Sequence, residues 1–531
     1  MTTIDWTIII VYMAGMIGLS IYLGRGQAND EDYYVGGRNL PWWAVGISTM
    51  ATQTSAISFM SIPAYVALKE GGGLTWLQYE LAVPLAMIFV MIFLIPFFRR
   101  LELVSVYEYL ELRFGPQVRL FLSGVFLLSR GFATAIGLYA SAIVLSVCLD
   151  LPLAATILLI GVITVIYDTI GGMTAVVYSD VLQMFILVGG LLACVFYAAA
   201  EVGGFSAMFD ALPQDRWHAF DPGTGLGDSS STPFWGFLIG GFFLYASYYG
   251  TDQSQVQREL SAPTLADTKK ALVFNGLARF PLTLLYLLLG IAAGATYYAA
   301  SDLQAAVPPD KLDYLVPQFI LLKLPTGLRA LLFAALLAAA MSSLDSALNS
   351  LSAATVRDFI DRKGEMSGKA VLRTSKVTTV VWGAVLTGLA FFAGNISDTV
   401  IEGINKVGSA FYGPILAAFL AGVASKRATG PGVIAGVIAG VGFNVVLWIG
   451  TPEIYWMWWN AFGLVVAIVV TLGASLIVGA PPSEEVLKQY TLTTGEGLLA
   501  REREWLLTYG LLFAYFALIL VVTLLLGSLG A

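Results

Sequence analysis

The sequence predicts an all-α polytopic membrane protein of about fourteen transmembrane helices. Two observations carry this. Of the 531 residues, 58% are hydrophobic and only 12% are charged, and apolar stretches of about 20 residues, the length that crosses a bilayer as a helix, recur along the whole chain. A mean hydropathy of +0.79 spread over the length, with no polar block beside an apolar one, argues for a single membrane domain, 1–531, without a separate soluble part. The partner of most of the surface is then the lipid bilayer.

The stretch from Trp6 to Leu23 is apolar but lacks the basic start and small-residue cleavage site of a signal peptide, so it reads as a first span, 5–24. Further spans read as 42–66, 75–98, 120–148, 153–171 and 180–200. The second half yields 234–256, 270–298, 324–356, 373–394, 402–424, 430–449, 454–477 and 504–527. Positive charge in short loops tends to stay in the cytoplasm, and alternate loops divide clearly. One set holds Arg25, Arg38, Arg99, Arg100, Arg113, Arg119, Arg258, Lys269, Lys270 and the basic residues of 357–373, 426–427 and 488–503; the other holds little beyond Lys69, Arg216, Lys311 and Lys323. Both termini are therefore expected outside the cytoplasm, in a multi-pass chain of the cell inner (plasma) membrane.

Cys148, Cys194 and His218 are the only cysteines and histidine, too few for a zinc, haem or iron–sulfur centre. Sites for hard cations, built from oxygen, stay open. There is no Gly-rich loop ending in Lys-Ser or Lys-Thr to bind ATP, and no nucleophile, base and orienter converge as in an enzyme. No nucleic-acid partner and no organic cofactor are expected.

Polar residues inside spans are costly and point to function. In the second span, Ser48-Thr49-Met50-Ala51-Thr52-Gln53-Thr54-Ser55-Ala56-Ile57-Ser58 interrupts an apolar helix, with Pro63 close behind. Either the helix unwinds and frees carbonyls there, or the hydroxyls bond back to their own helix. In the ninth span, Ala339, Ser342, Ser343 and Ser346 share one face at i, i+3, i+4 and i+7, with Asp345 among them. Small residues at this spacing also serve helix packing; the carboxylate favours a cation site. Asp180, in Tyr178-Ser179-Asp180-Val181-Leu182-Gln183, either caps a helix or binds an ion.

Five stretches carry a family resemblance: DYYVGGRNLPWWAVGIS at 32–48, IYDTIGGMTAVVYSDVLQ at 166–183, GTDQSQVQREL at 250–260, AAAMSSLDSALNS at 338–350 and GSAFYGPILAAFLAG at 408–422. Through them the chain resembles the sodium/solute symporter family of sugar, iodide, monocarboxylate, vitamin and sialic acid carriers. The resemblance implies a LeuT-type fold of two inverted five-helix repeats, 42–200 and 234–424, with peripheral helices at 5–24 and 430–527 and binding at the midplane. It implies sodium-coupled symport of a small polar organic solute, an organic anion or a sugar, into the cell by alternating access, with sodium co-transported; apart from the resemblance, a monomer is the expected working unit. The competing reading is a channel or a non-transporting sensor on the same fold.

Carried over by position, the family's common sodium site would use the carbonyls of Ala51, Thr54 and Ala339 and the hydroxyls of Ser342 and Ser343. A second site found in some members would gather Asp180, Ser342, Asp345 and Ser346. Asp345 stands where those members have a hydroxyl, which either tightens the site or brings a proton into the cycle. Substrate contacts are expected from Ser55, Ser58, Gln78, Glu80, Arg130, Asp252, Gln253 and Lys406. Glu80 matches an acid of sugar carriers, but Ser58 and Ser254 replace their amide and gate tyrosine. Arg130, about one turn from an arginine of carboxylate carriers, either enters the cavity or snorkels to the edge. Lys406 suggests a small organic anion, unless Glu402 at i−4 neutralises it or the side chain reaches the interface.

Overall fold

The computed structural model describes residues 2–228, 230–393, 400–492 and 501–529, with only the backbone described at 400–404 and 529. The described residues are helical, apart from loops and one isolated bridge between Leu226 and Ile454. We number the principal helices α1 (Thr3–Leu23), α2 (Trp42–Gln53), α3 (Ala56–Ala67), α4 (Val83–Phe93), α5 (Pro116–Leu149), α6 (Leu153–Glu201), α7 (Gly241–Thr251), α8 (Gln253–Glu259), α9 (Leu265–Ala299), α10 (Leu328–Ala354), α11 (Gly368–Ala390), α12 (Val400–Ala424), α13 (Gly430–Gly450), α14 (Trp458–Ser475) and α15 (Leu506–Leu529).

Among the described residues, ten helical stretches are long and apolar enough to cross a membrane, against the fourteen spans read from the sequence. The difference has local causes. The second span is cut in two, α2 and α3. The fifth and sixth expected spans run on as one 49-residue helix, α6, with a kink at Gly172. The seventh is a π-helical turn, Gly236–Gly240, leading into the short α7. In α11, Lys369, Arg373, Lys376 and several threonines dilute the apolar run.

The break in the second span comes at Thr54, which leaves the helix at φ −92°, ψ 79° while its N–H still donates to the Ala51 carbonyl. Ser55 (φ −86°, ψ 163°) then caps α3, accepting from the Ser58 N–H at 3.3 Å. Both sequence alternatives occur together: the helix unwinds, and Thr52 and Thr54 also donate to the carbonyls of Ser48 and Met50, each at 2.9 Å. Capping by Ser55 satisfies a donor that the broken helix would otherwise orphan. At the α6 kink, Gly172 has φ +56°, and a Cβ there would lie 2.7 Å from the Tyr33 carbonyl. Only glycine tolerates that conformation at that approach.

Burial separates centre from periphery. In the most apolar window of α10, 89% of the residues are buried against protein, compared with 17% in α1 and α15. The outer helices expose Ile10, Val11, Leu507 and Leu511, as a lipid-facing surface requires. Helix α10 packs on α6 and α5, α9 on α2 and α3, and α13 and α14 pack beside α12.

Candidate functional site

The break between α2 and α3 opens onto a cavity of about 200 Å³. Its floor carries Gln53, Thr54, Ser55 and Ser58, and Ser343 of α10 faces it. Aromatic side chains form the walls. Trp76 stacks on Tyr79 with ring centroids 5.4 Å apart, Tyr79 meets Tyr245 edge to face at 5.4 Å, and Tyr248 meets Tyr412 at 6.0 Å. A cavity with apolar rings and a few placed polar groups is the ordinary form of a small-solute site.

Two ion pairs border it. Glu80 accepts from Arg279 at 2.8 Å and from Thr283 at 3.0 Å, with the Tyr245 hydroxyl at 3.4 Å. Its charge is therefore balanced inside the protein. Arg130 lines the cavity instead of reaching the membrane edge. It lies 3.7 Å from Asp252 and over the Tyr248 ring at 5.7 Å, and among the described residues its Nε has no hydrogen-bond partner. This guanidinium retains donor capacity that a ligand can use.

Beside the cavity lies a buried polar cluster centred on Arg258, whose side chain is wholly enclosed. Its Nε donates to Ser48 at 2.9 Å, and its terminal nitrogens donate to the Ser254 carbonyl at 2.6 Å and to Ser346 at 2.5 Å. Asp180 lies 3.6 Å from the guanidinium and accepts from Ser48 at 2.5 Å and Ser342 at 2.6 Å. Asp345 accepts from the Tyr167 hydroxyl at 2.5 Å and from Ser346 at 3.3 Å. Thr52 and Ser346 are 3.1 Å apart, which joins the broken span directly to α10.

The sequence-derived residues fall into three groups. The structure brings Asp180, Ser342, Asp345 and Ser346 into one cluster, with Ser342 hydrogen-bonded to Asp180. Of the common set, the Ala51 carbonyl accepts the Thr54 N–H at 2.9 Å, the Ala339 carbonyl accepts from Ser343 at 3.4 Å, and Thr54 and Ser343 line the cavity. Ser55, Ser58, Glu80 and Arg130 also line it.

The remaining candidates point elsewhere. The Gln78 amide donates to the Thr232 carbonyl at 2.9 Å and so anchors the 221–232 loop. Gln253 donates to the Val104 carbonyl and accepts from Val106, both at 2.7 Å, tying α8 to the loop beneath it. Asp252 caps α8 through the Ser254 N–H as well as facing Arg130. Asn405 lines the cavity; Lys406, about 100° further round the helix, is half-buried outside that lining. The Glu402 side chain lies outside the described residues.

Arg258 and Lys269, counted in the sequence among the basic residues between spans, are both buried and paired in the structure. Arg258 serves Asp180, and Lys269 is buried against Glu502 at 2.5 Å and Tyr509 at 3.2 Å. Sequence reasoning also passed over Arg279, Tyr167 and the aromatic walls. A buried acid demands a cation, so Asp180 and Glu80 each signalled a missing arginine. Nothing in the pattern said which one.

The sequence model of the sodium:solute symporter family matches residues 33–440. The chain belongs to the sodium:solute symporter family. Its relatives are transporters and not enzymes. The sodium/sialic acid symporter NanT of Aliivibrio fischeri is 30% identical over 493 residues, which cover 91% of this chain and 95% of that protein. The human sodium/iodide cotransporter is 30% identical over 483 residues, 89% of this chain and 69% of that one. A substrate-bound, outward-open structure of a Na+-coupled sialic acid symporter matches with a TM-score of 0.81 at 27% identity, covering 91% of this chain and 99% of that one.

Proposed function

We propose that the chain is a sodium-driven symporter that imports a small organic solute bearing a carboxylate, through alternating access of two inverted five-helix repeats at 42–200 and 234–424. In this reading fourteen helices cross the inner membrane, both termini lie outside, and the chain works as a monomer. The observation that carries it is the unwound Thr54–Ser55 segment. It interrupts the span at the wall of a cavity that Ser343 of α10 and Arg130 also line.

Sodium is a hard cation that takes oxygen ligands. The carbonyls of Ala51, Thr54 and Ala339 with the hydroxyls of Ser342 and Ser343 offer five neutral oxygens, enough to bind it and weak enough to release it. Bound there, sodium bridges the broken span to α10 and orders the cavity floor before the solute arrives. Asp180, Ser342, Asp345 and Ser346 supply the second sodium site. Arg130 selects the carboxylate through the donor capacity that its loose, 3.7 Å pairing with Asp252 leaves unused, whereas Glu80 is held closely by Arg279 and Thr283. The sialic acid and iodide carriers among its relatives support an anionic solute.

The test is a thermal-shift screen of carboxylates, acidic sugars and neutral sugars on the purified protein, with sodium or choline. A ligand at 100 times its Kd stabilises the folded state by about 2.7 kcal/mol, so the true solute raises Tm, and does so more strongly in sodium. Exchange of labelled solute in sodium-loaded proteoliposomes then separates a carrier from a channel or sensor. Ser343→Ala should raise the sodium concentration for half-maximal stabilisation several-fold while leaving Tm without sodium unchanged. Identical sodium titrations of the variant and the wild type would remove Ser343 from the site.

A further inference from the structure

Three carboxylates, those of Asp168, Asp180 and Asp345, are fully buried around one guanidinium, Arg258. Asp180 is held by Ser48, Ser342 and Arg258, and Asp345 by Tyr167. Asp168 differs: among the described residues, neither of its oxygens has a hydrogen-bond partner. Two further orphaned polar atoms belong to its surroundings. Thr164 Oγ1 lies one turn earlier on the same face of α6, and the Asn349 amide, on α10, faces the Asp168 carboxyl without a formed hydrogen bond. Both residues are fully buried. Asn349 is oriented by Gln257, whose Nε2 donates to Asn349 Oδ1 at 2.6 Å and to the Tyr34 carbonyl at 2.7 Å.

The charged and titratable groups around this point are Tyr12 on α1, Tyr33 and Tyr34 on the short helix Asp30–Val35, Tyr167 and Asp180 on α6, Asp345 on α10 and Arg258 on α8. Lys376 of α11 stands beyond Tyr33, with Nζ 5.8 Å from its ring centroid. Arg258 is committed to Ser48, Ser254, Ser346 and Asp180. An ionised, unpaired carboxylate in this interior is strongly unfavourable, so Asp168 needs a compensating charge, and among the described residues no side chain supplies one by hydrogen bonding. A sodium ion fits poorly, because the Asn349 Nδ2 group is a donor and cannot ligate a cation. A proton fits: it neutralises the carboxyl without needing further oxygen ligands, and the nearby Asn349 amide can donate to the carbonyl oxygen of the neutral acid.

We propose that Asp168 is a proton-binding site of this chain, loaded when the sodium sites are empty and discharged when sodium binds. Asp345 lies within electrostatic reach of both Asp168 and Asp180. Sodium arriving beside Asp345 supplies the positive charge that lets the Asp168 proton leave; departure of sodium calls a proton back. The inference rests on the sodium site described above, and its test keeps the two apart.

Sodium-free protein in weakly buffered detergent solution, with a pH indicator dye, is titrated with sodium chloride and in parallel with choline chloride. The wild type releases up to one proton per chain with sodium and none with choline. Asp168→Asn, which imitates the neutral acid, loses the release but keeps the sodium-dependent rise in Tm. Release that persists in Asp168→Asn overturns the assignment. A wild type whose Tm rises with sodium but which releases no proton overturns the proton site and leaves the sodium site standing; no rise at all overturns both. Independently of any variant, a hydrophobic carbodiimide, which adds to protonated carboxyls, labels the Asp168 peptide of the sodium-free wild type, and sodium protects it. A peptide left unlabelled in both states overturns the proposal.

Discussion

Replacing Arg258 by leucine should destabilise the protein by about 3–5 kcal/mol, the usual cost of leaving one partner of a buried ion pair without its counter-charge. The loss reaches beyond Asp180, because the same guanidinium satisfies Ser48, Ser346 and the Ser254 carbonyl. Thermal unfolding of the detergent-purified variant measures it. Adding Asp180→Asn to Arg258→Leu should recover much of the loss, since the second change removes the uncompensated charge. Equal losses in the single and double variants would mean that Arg258 acts through its volume and backbone contacts, not as the partner of Asp180.

Arg130→Met should weaken a carboxylate solute by about 30-fold or more, while the Tm response to sodium alone stays as in the wild type. Truncating one member of a buried, hydrogen-bonded charge pair costs about 2–5 kcal/mol, and about 1.4 kcal/mol corresponds to tenfold in affinity. Lysine at this position keeps the charge but loses the planar fork that grips a carboxylate at two points, so Arg130→Lys should fall between. The readout is the solute concentration giving half-maximal thermal stabilisation in sodium. Wild-type affinity for a carboxylate in Arg130→Met would remove this residue from the solute site.

The helix break was legible because its cause is local. A run of hydroxyls and an amide inside an apolar span has few ways to be satisfied, and the unwound Thr54–Ser55 segment resolves it within ten residues of chain. The serine face of α10 was legible for the same reason, since i, i+3, i+4 and i+7 spacing is a property of one helix. Arg258 was not. In sequence it is one more basic residue near a span end, and only the fold brings it to Asp180, 78 residues away, and to Ser48, 210 residues away. The aromatic walls were hidden for a different reason. With 67 Phe, Trp and Tyr residues in the chain, nothing marks the half-dozen that meet around a cavity. Gln78 and Gln253 bond backbone in the structure, since a buried amide suits backbone as well as a solute, and the pattern of the sequence does not separate the two uses.

The two ion pairs at the cavity also bear on how the membrane voltage acts. Glu80 cancels Arg279, and Asp252 cancels Arg130, so these four residues add no net charge to the moving load. What the voltage acts on is then the sum of the passengers. One sodium ion with a monovalent anion moves no net charge inward, and a proton carried back on Asp168 then makes the full cycle move one charge. Each further sodium makes the step electrogenic and adds about 2.3 kcal/mol of driving force per 100 mV. The voltage dependence of uptake therefore counts the sodium ions carried with each solute, less any proton returned on Asp168.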